Sequence, residues 1–178
     1  MLYRTWFDPP ATRPRSSADR WWLCLDGVFY QGDVFLDGAY VGDTEGYFSE
    51  HQFEVGHHLA AGLADGFDAH LLAIEVANRP ESDKTAKRKI TGVWDHWDMM
   101  DPTWNPGGIT GQVRLERSGP VRIRSQRITC PAATSSRASL DVHAVLDVAA
   151  GTREVEIETL VIGPDGEAAR HVSQLSVA

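Results

Sequence analysis

Apolar and polar positions alternate with a period of two along most of the chain, and helical periodicity is nearly absent. Trp21, Leu23 and Leu25 share one face of a segment whose other face carries Trp22, Cys24 and Asp26. Leu72, Ile74 and Val76 alternate with Ala73, Glu75 and Ala77, and Val113 and Leu115 alternate with Gln112, Arg114 and Glu116. Each run ends in Gly, Pro, Asn or Asp, as strands do. The stretch VFLDGAYVG predicts a tight hairpin, because Asp37-Gly38 can supply the positive φ angles of a type I′ turn. Across that turn Phe35 is expected to face Tyr40, and Val34 to face Val41. An acidic, aromatic turn (TEGYF) and a second alternation (FEV) follow at once. His57 to Phe67 predicts no more than a short helical turn, limited by its glycines, and His57-His58 reads as a surface pair at a strand end. The first domain is therefore expected to be an all-β sandwich.

A boundary falls near Arg117-Ser118-Gly119-Pro120, which divides the chain into residues 1–118 and 119–178. Beyond it, Val121 and Ile123 oppose Arg122 and Arg124. Leu140, Val142, Ala144, Leu146 and Val148 align, and Val155 and Ile157 oppose Glu154, Glu156 and Glu158. Pro164-Asp165-Gly166 is a strong turn signal. The pattern is that of an immunoglobulin-like sandwich with one wet and one dry face. Such a domain takes about 100 residues, so this one is expected to be incomplete, with three or four of its seven strands. Uncovered apolar faces and open strand edges invite pairing, so self-association through residues after Pro120 is expected.

Composition narrows the function classes. Seventeen basic against 25 acidic residues give a net charge of −8, which argues against nucleic acid or an anionic membrane as partner. No apolar run approaches the roughly 20 residues of a membrane span. The opening MLYRTWFDPPATRPR lacks the apolar core of a secretory signal, so a cytoplasmic location is expected. The two cysteines, Cys24 and Cys130, do not make a disulfide framework, and neither has a partner at metal-ligand spacing. No cofactor is expected.

The longest irregular segment runs from Arg79 to Gly111 and carries three of the six tryptophans, which argues for order. Within it His96, Asp95, Asp98 and Asp101 offer metal-ligating groups, but neighbours on an extended segment point to opposite sides, so no metal site is expected. Trp94 and Trp97 read first as the local core of a long loop. Lys84 to Lys89 is the one basic cluster, either a solvated loop or a docking patch for another domain or subunit.

Four pieces in order, LDGVFYQGDVFLDGAYVGDTEGYFSEHQFEV, LLAIEVAN, GVWDHWD and NPGGITGQVRLE, carry a resemblance. The chain resembles the N-terminal sugar-binding domain of glycoside hydrolase family 2, the β-galactosidases, β-mannosidases and β-glucuronidases, over roughly Tyr3 to Glu116. The residues from Pro120 resemble the start of that family's second, immunoglobulin-like domain. The resemblance implies a jelly-roll, galactose-binding-like sandwich followed by a partial immunoglobulin-like one. Thr110-Gly111-Gln112 departs from the family, whose members more often carry an aromatic or arginine and then a proline after the Gly-Ile turn.

Glycoside hydrolysis needs two flanking carboxylates, which in this family are glutamates on a (β/α)8 barrel of about 250 residues. Nothing in the chain alternates strand and helix in that way. Glu75 lies mid-strand, and Glu154, Glu156 and Glu158 share a solvated face. No catalytic residue is assigned: the chain alone is expected to be inactive, and its full-length parent a retaining β-glycosidase. The resemblance further implies that a loop of the first domain reaches over the barrel and offers an acidic residue to sugar hydroxyls. The matching residues are Asp101, Trp104 and Asn105. A carboxylate can accept two hydroxyl hydrogen bonds, an indole can stack on a pyranose face, and an amide both donates and accepts. The competing roles are a loop plug for Trp104 and a turn cap for Asp101. The expected partner is a carbohydrate substrate held jointly with the barrel. A stand-alone carbohydrate-binding module and a non-sugar interaction module remain the alternatives.

Overall fold

The computed structural model describes residues 1–10, 19–66, 68–78 and 107–177. The chain forms two compact units, Met1–Arg117 and Ser118–Ala178.

In the first unit, strands β1 (Leu2–Phe7), β4 (Gln31–Leu36), β5 (Ala39–Glu45) and β7 (His70–Ala77) make a four-stranded antiparallel sheet in the order β1-β7-β4-β5. A second sheet has the order β6-β2-β9, from β2 (Arg20–Leu25), β6 (His51–Glu54) and β9 (Val113–Ser118). The short strands β3 (Val28–Phe29) and β8 (Gly108–Ile109) pair with each other. Period-two alternation dictates the core. Leu23 and Leu25 of β2 meet Val34, Leu36, Leu72, Ile74 and Val76 of the larger sheet, each at most 5% exposed. The other face of β2 is covered as well, since Trp22 and Cys24 are buried, so this strand is apolar on both sides. Arg20 lies 4.5 Å over the Trp22 ring. Both cysteines are free thiols, Cys24 buried and Cys130 exposed.

The β4–β5 hairpin turns on Asp37 (φ 53°) and Gly38 (φ 83°), the positive pair a type I′ turn requires. Phe35 faces Tyr40 as expected, with ring centroids 5.5 Å apart. Val34 instead faces Gly42, because a bulge leaves Val41 as the extra residue. The bulge puts Gly42 where a side chain has no room: an added Cβ would stand 2.6 Å from the Phe53 ring.

Helix α1 (Gly56–Ala64) extends the expected helical turn to nine residues, and it moves His57-His58 from a strand end to a helix start. Leu59 drives its docking, being 4% exposed within the core. The helix ends where Gly66 takes φ 84° and its N–H bonds Leu63.

The second unit holds β10 (Val121–Ala133), β11 (Ala138–Val148), β12 (Glu154–Gly163) and β13 (Gly166–Ser176). They form two separate two-stranded antiparallel sheets, β10-β11 and β12-β13. The expected dry face is not closed. Val155 is the buried hydrophobic residue of this unit among the described residues, while Ile123, Ile128 and Ile162 are exposed. Two hairpins with no shared hydrogen-bonded edge bury little of each other.

Candidate functional site

The expected sugar-facing residues Asp101, Trp104 and Asn105 lie outside the described residues, as do His96, Trp94, Trp97 and the basic cluster Lys84–Lys89. What the structure describes is the base from which residues 79–106 depart and to which they return. Strand β7 ends at Ala77, and the chain re-enters at Gly107. A Cβ placed on Gly107 would stand 3.2 Å from Asn78 Cβ and 3.5 Å from the Phe29 carbonyl oxygen, so the two ends of the segment touch. Gly108 has φ 135°, and its Cβ would stand 2.6 Å from the Tyr3 hydroxyl. Only glycine permits both that backbone angle and that approach.

The returning arm is then fixed at three levels. Ile109 pairs with Val28 and Gly108 with Phe29. Thr110 N–H donates to the Gly27 carbonyl at 3.0 Å, and Asp26 N–H donates to the Gln112 carbonyl at 3.0 Å. Gly111 is pressed against this corner: a Cβ there would lie 2.6 Å from Asp26 Cβ and 2.7 Å from Gly27 N. The unusual Thr110-Gly111-Gln112 therefore has a local steric reason. Beyond it, the Arg114 guanidinium pairs with Asp26, with Glu116 at 2.9 Å and with Glu50 at 3.4 Å. The hydrogen bonds this guanidinium donates to Glu116 and then to Asp26 hold its pKa above the ordinary arginine range, so its charge is constant.

Around the loop base stand two aromatic doublets. Phe29 meets Tyr47 edge-on at 5.1 Å and Phe48 at 5.7 Å, and Tyr30 lies 4.8 Å from Tyr47. The Tyr30 hydroxyl donates to Glu45 at 2.7 Å. The acidic, aromatic turn TEGYF thus packs onto the base of the long segment. Phe48 remains 71% exposed. Sequence reasoning passed over Phe29 and Tyr30. The signal was available in the two doublets, Phe29-Tyr30 and Tyr47-Phe48, each beside a strand end. Aromatic faces beside a carboxylate can bind a sugar ring, but they supply neither the acid nor the nucleophile of a hydrolase.

The profile described as glycosyl hydrolase 2 galactose-binding domain-like matches residues 1–116. The chain belongs to this glycosyl hydrolase 2 family. A comparison with curated proteins finds no match. Among solved structures, a glycosyl hydrolase family 2 member from Bacteroides cellulosilyticus DSM 14838 aligns with TM-score 0.70 and 18% identity, over 99% of this chain and 21% of its own. A β-glucuronidase from Bacteroides uniformis gives 0.71 and 18%, over 99% and 20%. A β-D-mannosidase from Dictyoglomus thermophilum gives 0.70 and 15%, over 99% and 22%. At such identities these likenesses establish the fold. The glycosyl hydrolase 2 chain spans about a fifth of the length of these structures. Its loop base holds Asn78 and Gly107, the described residues that flank in sequence the segment containing residues 101–105.

Proposed function

We propose that the chain is the non-catalytic N-terminal region of a β-galactosidase-like glycoside hydrolase, and that it shapes the substrate pocket of a (β/α)8 catalytic domain through the segment between β7 and β8. Asp101 accepts hydrogen bonds from two sugar hydroxyls, Trp104 stacks on the apolar face of the ring, and Asn105 bonds a further hydroxyl. The observation that carries this reading is the loop base. Asn78 and Gly107 touch, and pairing of Gly108–Ile109 with β3 anchors the return. A long segment whose two ends are both anchored on the sandwich presents side chains to a second domain at a lower closure cost than a segment tethered at one end. Carboxylates that flank a glycosidic bond belong, in this reading, to the barrel. The second unit acts as the beginning of an immunoglobulin-like linker.

Calorimetry of the isolated chain with galactose, mannose and glucuronic acid tests the division of labour. The reading expects no binding tighter than millimolar, because half of the pocket belongs to the barrel. Binding at about 10 µM or tighter, roughly −7 kcal/mol, would assign the chain to the stand-alone carbohydrate-binding modules. In an enzyme that contains this chain, Asp101→Asn and Trp104→Ala are expected to raise KM at least tenfold.

A further inference from the structure

The outer face of the β1-β7-β4-β5 sheet carries an arrangement that the proposed pocket does not use. Strand register places Glu75 beside Asp33, and Asp33 beside Asp43, on three successive strands. All three side chains point away from the core, because their neighbours Ile74, Val76, Val34 and Thr44 are buried beneath. Strands lie about 4.8 Å apart, so three carboxylates stand in a row. Like charges directly opposite on a sheet destabilise it. Among the described residues none of the three is in an ion pair. The next row along the strands is Arg4, Ala73, Phe35 and Tyr40, and one row further Trp6 of β1 pairs with Leu71. Trp6 is 68% exposed, Leu2 56% and Tyr40 54%. A shallow cavity of about 490 Å³ opens among Leu2, Arg4, Trp6 and Leu71. Partial desolvation, then Asp43 and Asp33, raise the Tyr40 phenol above its ordinary range, which marks how close the acidic row and the aromatic row run.

The charge pattern selects the occupant. Among the described residues no three acidic or histidine groups converge as metal ligands. A neutral saccharide leaves the carboxylates repelling one another, and a polyanion adds to the repulsion. A polypeptide that offers cationic heads beside apolar side chains relieves the row and fills the cavity at the same time, the combination typical of protein contacts. We propose that this sheet face docks a polypeptide surface presenting lysine or arginine side chains flanked by apolar ones.

The test is an NMR titration of the isotope-labelled 178-residue chain with a blocked five-residue peptide alternating lysine and leucine. Its glutamate counterpart and lactose serve as controls. Expected are saturable shifts of the Ala73, Phe35 and Asp43 amides and the Trp6 indole with the lysine peptide alone. Affinity falls at least tenfold in a Glu75→Gln, Asp33→Asn, Asp43→Asn triple variant and in Trp6→Ala. A control variant, Glu154→Gln with Glu156→Gln, binds as the parent does. Because the triple variant removes repulsion, its urea midpoint is expected to rise, an independent check that needs no ligand. Shifts spread over the whole acidic surface, an equal response to the glutamate peptide, saturation of this face by lactose, or an unaltered triple variant would each overturn the proposal.

Discussion

Asp37 does two things at once, and replacing it separates them. Its backbone sits at φ 53° in the hairpin turn. Its carboxylate accepts the Leu71 backbone N–H at 2.8 Å through Oδ1 and the His70 Nδ1–H at 2.7 Å through Oδ2. His70 is fully buried and the Asp37 side chain is 7% exposed, so water does not substitute easily. Asp37→Ala strands two buried donors, each worth about 1–3 kcal/mol, and puts a Cβ-bearing residue without a polar side chain at a left-handed angle, for about 1–2 kcal/mol. With some relief from water entering the gap, we expect a loss of about 4 kcal/mol, a large share of the 5–15 kcal/mol typical of a domain. Asp37→Asn keeps an acceptor for Leu71 and tolerates the turn. It forces the His70 proton onto Nε2, which is buried without a partner, so a loss of about 1–2 kcal/mol is expected. Urea unfolding followed by tryptophan fluorescence measures both, since Trp6, Trp21 and Trp22 all lie in the first unit. Amide exchange at Leu71 reports the local opening. A loss under 1 kcal/mol for the alanine variant, or equal losses for alanine and asparagine, would refute this account of the hairpin.

Three further outcomes follow from particular contacts. Gly108→Ala drives a Cβ to 2.6 Å from the Tyr3 hydroxyl and is expected to lower stability by about 2–4 kcal/mol; Tyr3→Phe removes the clash and restores part of it, so additive losses in the double variant would count against the contact. Desolvation lowers the His51 pKa from 6.5, with Asp43 opposing it. The unfolded chain therefore takes up the proton first, and stability present above about pH 6.5 declines as pH falls through that value; His51→Gln is expected to flatten the loss between pH 7 and 5, and an unchanged slope would exclude His51 as its source. We also propose that copies of the chain associate through the second unit, where Ile128 is 58% and Ile162 is 72% exposed and every strand has a free edge among the described residues; sedimentation is expected to show concentration-dependent dimers that Ile162→Lys weakens, and a monodisperse monomer at high concentration would end the idea.

The parts of this fold that were legible in the sequence are those fixed by neighbours along the chain. Asp37-Gly38 announced its turn because a type I′ turn needs two positive φ angles in adjacent residues, and the Phe35–Tyr40 pair followed from counting outward. The count failed one step later. The bulge at Val41 answers to Phe53, a residue of another strand that leaves no room for a Cβ at position 42. The same reason hid the second role of Asp37, whose partner His70 lies 33 positions away, and the acidic row, whose members sit on three strands and show no periodicity in any one of them. Two of the family's motifs carry backbone necessities that show in the sequence as glycine: the Asp37-Gly38 turn in the first and Gly108, at φ 135°, in the last. Those necessities hold a scaffold in place whatever ligand it serves. Residues that contact a ligand are under no such local constraint, so the segment carrying Asp101, Trp104 and Asn105 is where pattern reasoning is weakest. The most specific site information therefore comes from contacts between strands: the meeting of Phe29-Tyr30 with Tyr47-Phe48 at the loop base, and of Glu75 with Asp33 and Asp43 on the outer sheet.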